Sequence, residues 1–124
     1  MKLLDTLNEA QLAAVTNIHG PTMIIAGPGS GKTRVLTFRV AYLMHSGIDP
    51  FSILALTFTN KAAREMKNRI EQLYGTDARN LWMGTFHSVF SRILRSEADK
   101  LGYPSNFTIY DSEDAKNLLK TIVK

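Results

Sequence analysis

The sequence predicts an α/β fold with a parallel sheet, and three observations predict it. Short apolar runs at positions 22–26, 53–57 and 81–86 alternate with longer stretches of helical periodicity, the order that builds right-handed strand–helix–strand units. Each run gives way to a polar stretch at the carboxyl end of its strand, where ligands of such sheets bind. The first of these stretches holds three glycines within five positions and then Gly31-Lys32-Thr33 at the head of a helical pattern.

Each element has a local reason. A first helix is expected over Glu9 to about Ile18, with Asn8 as N-cap, Gln11 at the capping-box position and His19-Gly20-Pro21 as the stop. Thr22–Ala26, apolar and β-branched, reads as the first strand. The second helix runs from Gly31 to about Ser46, before Gly47 and Pro50. It carries Val35, Leu36, Phe38, Val40, Ala41, Leu43 and Met44, too apolar a set for a surface helix, so it should wedge against the sheet. Ile53–Thr57 is apolar and expected as a parallel strand covered on both faces. A helix from about Asn60 to Tyr74 turns Ala62, Ala63, Met66, Ile70 and Leu73 inward and stops at Gly75. Leu81–Phe86 is the third strand. A helix of about Ser88–Leu101 is expected to bury Val89, Phe90, Ile93, Leu94, Ala98 and Leu101 before Gly102 and Pro104. From Asp111 a last helical pattern puts Ala115, Leu118, Leu119, Ile122 and Val123 on one face. It reaches Lys124 without a stop signal, so the chain is expected to be the N-terminal piece of something longer.

The stretch Ala26-Gly27-Pro28-Gly29-Ser30-Gly31-Lys32-Thr33 reads as a phosphate-binding loop. Glycines let the backbone curl so that successive N–H groups face a polyanion, and the helix that follows adds its positive dipole end. Lys32 supplies a mobile cation for the β- and γ-phosphates, the catalytic group of the loop, and Thr33 a hydroxyl for Mg²⁺. Ala26 stands where the loop pattern has its first glycine; alanine tolerates the end-of-strand geometry there. The fold expected is therefore a P-loop NTPase.

Bulk properties bound the rest. The 124 residues give room for one modest core. There is no cysteine, which excludes disulfide and thiolate chemistry and fits a reducing compartment, here the cytoplasm. No apolar run approaches the roughly 20 residues that span a bilayer, so no membrane partner is expected. The net charge of +4 permits a nucleic-acid partner without demanding one.

The second and third strand ends are as specific as the first. They read Thr57-Phe58-Thr59-Asn60-Lys61-Ala62-Ala63-Arg64-Glu65-Met66 and Gly84-Thr85-Phe86-His87-Ser88. Each pairs an aromatic with small hydrogen-bonding groups. Aromatic faces stack bases, while hydroxyls, amides and helix N-termini hold phosphates. The competing reading makes Phe58 and Phe86 core residues and leaves the Thr, Asn and Ser side chains to cap helices.

With Leu7-Asn8-x-x-Gln11-x-x-Ala14-Val15 ahead of the phosphate loop, these strings resemble, in order and spacing, motifs Q, I, Ia and Ib of superfamily 1 DNA helicases of the UvrD/Rep/PcrA group. The resemblance covers nearly the whole chain. It implies a RecA-like parallel sheet with flanking helices, of which this chain holds only part. It implies ATP and Mg²⁺ as cofactors, with ATP held by Gln11, Ala26, Gly27, Pro28, Gly29, Ser30, Gly31, Lys32, Thr33 and Arg34. Gln11 would hydrogen-bond the adenine edge, because an amide donates and accepts in one plane. Arg34 would lie beside the nucleotide. Single-stranded DNA would be met by Thr57, Phe58, Thr59, Asn60, Lys61, Thr85, Phe86, His87 and Ser88, with Phe58 against a base. The full enzyme would move 3′ to 5′ on single strands, meet single-strand/duplex junctions and unwind them.

Phe107-Thr108-Ile109-Tyr110-Asp111 imitates a magnesium-binding Walker B strand, but Tyr110-Asp111-Ser112-Glu113 lacks the family's Asp-Glu pair. Asp111 is read instead as an N-cap. The resemblance then places residues 1–110 in the first motor domain and 111–124 at the start of an inserted helical subdomain. The Walker B acids and the second domain's arginines would lie outside this chain. His19 and His45, at helix ends, are given no role. The rival class is a free-standing P-loop nucleotide-binding module or small kinase with no DNA role, but no acceptor site or lid is evident.

Overall fold

The computed structural model describes residues 2–29 and 31–123. By contacts the chain forms two compact units, Met1–Val89 and Phe90–Lys124. The first unit is a mixed helix–sheet body. In order it holds α1 (Glu9–Thr16), α2 (Lys32–His45), β1 (Leu54–Thr57), α3 (Asn60–Tyr74) and β2 (Trp82–Thr85), and α4 (Phe86–Ser96) starts within it. Short 3₁₀ turns at Lys2–Leu4, Pro50–Ser52 and Thr76–Asn80 join them. The second unit takes up the rest of α4, a 3₁₀ turn at Ala98–Leu101 and α5 (Ser112–Val123).

β1 and β2 are parallel, in the register Leu54↔Trp82, Ala55↔Met83, Leu56↔Gly84 and Thr57↔Thr85. The α3 segment that links them is the crossover a parallel pair needs. One face of this sheet is well covered. Ile53, Ala55 and Leu81 pack with Val40 and Met44 of α2 and with Met66 and Ile70 of α3. A second cluster joins α1 to α2 through Val15, Val35 and Phe38, with Leu3, Leu4 and Leu7 against it. α2 thus sits between α1 and α3, as its apolar composition requires.

The helix starts follow their caps. Asn8 and Gln11 form the reciprocal capping box of α1. The Thr59 side chain accepts from the Ala62 N–H at the start of α3, and Gly75 ends that helix with φ +118°. The Asp111 carboxylate accepts from the Asp114 N–H (2.8 Å) at the head of α5, so Asp111 is the N-cap expected and the run before it forms no strand.

Four expectations are corrected. Residues 22–26 form no strand; they run irregularly with Ile25 90% exposed. A strand exists by hydrogen bonding to a neighbour, and neither described strand pairs with this run. β1 is covered on one face only, since Leu54, pointing opposite to Ala55, is half exposed. The helix expected over 88–101 starts earlier, at Phe86, and breaks after Ser96 into the 3₁₀ turn. Of its inward set only Val89 and Ala98 are buried, while Phe90, Leu94 and Leu101 are exposed. Periodicity marks an apolar face but does not supply a cover for it. The apolar face of α5, with Leu118, Leu119, Ile122 and Val123, is exposed for the same reason.

Candidate functional site

The phosphate loop is shaped by two glycines in the left-handed region, Gly29 at φ +76° and Gly31 at φ +83°. No other residue type enters that region so cheaply. Gly31 is the N-cap of α2, so Lys32 and Thr33 open the helix and lie in solvent. Beside the loop is a cavity of about 360 Å³ lined by Asn8, Gln11, Ile24, Ala26, Gly27 and Lys32 among others. Two distant parts of the sequence, the start of α1 and the loop, therefore share one site.

Gln11 has one end fixed. Its Oε1 accepts from the Asn8 N–H at 3.1 Å, and its own N–H donates to the Asn8 side-chain oxygen at 2.9 Å. Its Nε2 lies against the loop, so close that a Cβ built on Gly31 would stand 3.1 Å from it. The capping role and a place in the cavity are thus compatible. Ser30, assigned to the loop from sequence, lies outside the described residues. Arg34 is placed differently from the rest of the set. Its guanidinium donates to the Thr6 hydroxyl (2.7 Å) and carbonyl (3.2 Å) and sits 5.1 Å above the Phe38 ring. It borders a separate shallow groove with Arg69 and Gln72.

Sequence reasoning missed Thr6 and Arg39. Arg39 donates to the carbonyls of Ala14 (2.8 Å) and Asn17 (2.6 Å), at the C-terminal end of α1. A cation there satisfies carbonyls that the helix leaves open. With Arg34 on Thr6, two arginines of α2 hold the segment carrying Gln11 at both its ends. These bonds join residues 22 to 28 positions apart, and no local pattern announces them.

The second and third strand ends meet. The register sets Thr57 opposite Thr85, so the residues after them emerge side by side. Phe58 is 89% exposed and its ring centroid lies 5.3 Å from that of Phe86. The core reading of Phe58 is thereby excluded, whereas burying so large a side chain is the rule. The small polar residues around the pair are engaged locally. The Thr57 hydroxyl donates to the Thr59 carbonyl. The buried Thr85 hydroxyl accepts from the Ser88 N–H and donates to the Ser88 hydroxyl. Gly84 lets Ser88 approach, since a Cβ there would stand 2.7 Å from its hydroxyl oxygen. Asn60, Lys61 and His87 are exposed. His45 packs edge-on against Tyr74, a structural contact.

A glycine-shaped loop at the head of a helix, with a two-stranded parallel sheet displaying an exposed aromatic pair, defines an α/β protein with two candidate ligand surfaces. A family model, the UvrD/REP helicase N-terminal domain, matches residues 7–124, and the chain belongs to that family, the UvrD/Rep/PcrA group. The ATP-dependent DNA helicase PcrA of Staphylococcus aureus strain Mu50 is 52% identical over 123 residues, covering 98% of this chain. The protein of the same name from Staphylococcus epidermidis strain ATCC 12228 is similar to the same degree. The chain spans 17% of the length of these relatives. Among the described residues no helix is long and apolar enough to cross a membrane.

Proposed function

We propose that this chain is the N-terminal part of the first RecA-like motor domain of an ATP-dependent DNA helicase, and that the whole protein translocates 3′ to 5′ on single-stranded DNA and unwinds duplex at junctions. In this reading residues 1–110 belong to the motor domain and 111–124 begin an inserted subdomain. Bound ATP with Mg²⁺ would supply a γ-phosphoryl group for transfer to water with ADP as leaving group, the reaction that would drive movement. Gly27, Gly29 and Gly31 would give backbone N–H groups to its phosphates, Lys32 a countercharge and Thr33 a hydroxyl to help hold the metal. The residues fit this ligand: the cavity joins a curled backbone, a solvent-facing cation and a side-chain amide. Arg34, held by Thr6, braces the site from its border.

The observation that carries the DNA side is the exposed Phe58–Phe86 pair at adjoining strand ends. Exposed aromatics stack on bases of any sequence, which suits a motor that tracks along a strand. Thr59 and Thr85 cap the starts of α3 and α4, which supports a role for the neighbouring Asn60, Lys61, His87 and Ser88 in meeting the strand. A kinase without a DNA role has no use for this pair.

The test is hydrolysis and unwinding by the full-length protein. ATP turnover is expected to rise with single-stranded DNA and to vanish in Lys32→Ala, with nucleotide affinity lowered by about 1–3 kcal/mol, the scale of a charge-assisted contact. Substrates with a 3′ tail should be unwound and those with only a 5′ tail should not. Turnover indifferent to DNA would favour the free-standing nucleotide-binding reading.

A further inference from the structure

We infer that Gly84 is a positioning residue for the single-stranded DNA surface, acting through Phe86; the inference rests on the DNA-binding reading above. Gly84 lies inside β2, paired with Leu56. A glycine within a strand weakens it and often marks a close approach by another part of the chain. The backbone at this position does not call for glycine, because Gly84 is not among the glycines with positive φ. The space beside it does. A Cβ built there would stand 2.7 Å from the Ser88 hydroxyl oxygen and 3.2 Å from Cγ2 of Val89. Val89 is fully buried, and a close-packed interior leaves it little room to give way.

That close approach sets the entry into α4. β2 ends at Thr85 and α4 begins at Phe86, with no linking residue. Three bonds tie the turn. Thr85 Oγ1 accepts from the Ser88 N–H (3.2 Å) and donates to Ser88 Oγ (3.0 Å), and Ser88 Oγ donates to the Thr85 carbonyl (3.1 Å). The first turn of α4 therefore lies flush against the bare backbone of Gly84. Phe86, its first residue, is carried to 5.3 Å from Phe58, centroid to centroid. The register sets Thr57 opposite Thr85, so each ring stands one residue past a paired position. The spacing of the rings thus depends on how closely α4 packs on β2. A methyl at position 84 would lift the turn and part the rings, although neither ring is among the atoms nearest to it. A binding surface keeps its geometry only while the residues behind it hold it there.

The experiment measures, in the full-length protein, affinity for a labelled oligothymidylate by fluorescence anisotropy and for ADP by calorimetry. Gly84→Ala is expected to weaken oligothymidylate binding about fivefold, the lower end of what losing one base–aromatic stack costs, and to leave ADP affinity unchanged. In a Phe86→Ala background the same substitution should cost nothing further, because the ring it displaces is gone. A glycine that serves stability alone would shift melting and leave both affinities as they are. In Gly84→Ala/Ser88→Ala the loss relative to Ser88→Ala should be smaller but present, since the nearest atom is removed and Val89 still presses. This less crowded pair carries the test if Gly84→Ala alone does not fold, and equal DNA affinities within it would then overturn the inference. It is also overturned if Gly84→Ala weakens ADP and DNA binding alike, or if its loss persists undiminished without Phe86. If Gly84→Ala binds DNA as the unaltered protein does while Phe86→Ala binds it more weakly, the inference falls and the DNA-binding reading stands. If Phe58→Ala and Phe86→Ala both bind oligothymidylate unchanged, both fall.

Discussion

Phe58 and Gly31 show how single residues divide the work. An exposed phenylalanine contributes little to folding, because its ring stays in water in the native state. In the full-length protein Phe58→Ala should weaken single-stranded DNA binding by roughly 1–3 kcal/mol, one base–aromatic stack, and shift the melting temperature little. Melting and DNA titration of the same variant check this. A large fall in melting temperature with unchanged DNA affinity would return Phe58 to a structural role. Gly31 behaves oppositely. Its φ of +83° costs any other L-residue about 1–2 kcal/mol, and the new Cβ would press on the Gln11 amide. Gly31→Ala should therefore lower both stability and ADP affinity, read by melting and by calorimetry. A variant with unaltered ADP affinity would show that the loop's curl is not needed for phosphate.

Among the elements, α1 depends most on distant partners. It has eight residues, too few to hold a helix alone in water. Its start is secured by Asn8 and Gln11, its apolar contact by Val15, and its last carbonyls by Arg39 of α2. Arg39→Ala should speed hydrogen exchange of the α1 amides while those of α3 keep their protection, and should cost about 1.5–3 kcal/mol if both carbonyl bonds are lost. Arg39→Lys should recover only part, since both bonds come from the terminal nitrogen Nη1 and a lysine ammonium ends one bond short of it. Equal exchange in α1 and α3 of Arg39→Ala would show that α1 is held by Val15 packing alone. The strand ends make the same point about local chemistry. Thr59 and Thr85 cap α3 and α4 at the sheet's carboxyl edge, so residues proposed to meet DNA also fix the elements that carry them.

For the molecule as a whole, the balance of covered and uncovered apolar surface is decisive. Met23, Ile25, Leu54, Leu94, Leu119 and Val123 are all exposed, more than a soluble monomer usually displays in such density. The isolated chain is expected to bind a hydrophobic dye and to self-associate, and to hydrolyse ATP negligibly with or without DNA. Phosphoryl transfer needs metal-holding acids and a charge-stabilising arginine in addition to the loop, and the chain spans 17% of its relatives' length. Turnover near that of a complete helicase, lost in Lys32→Ala, would mean that Asp111 or Glu113 acts as the missing acid.

What the sequence determined by itself is whatever depends on neighbours a few positions away. The capping box at Asn8, the stop at Gly75, the span Asn60–Tyr74 and the glycine pattern of the loop all follow from local sterics and hydrogen bonding. The parallel order of β1 and β2 followed from alternation alone. The tertiary structure decided everything that needs a partner far along the chain. It left residues 22–26 unpaired, kept Phe90 and Leu94 in solvent, and gave Arg34 and Arg39 to the segment around α1. It also settled that Phe58 is displayed rather than buried. An apolar pattern states what a segment can bury. Whether it is buried depends on which other surfaces the chain brings against it, and that information is non-local.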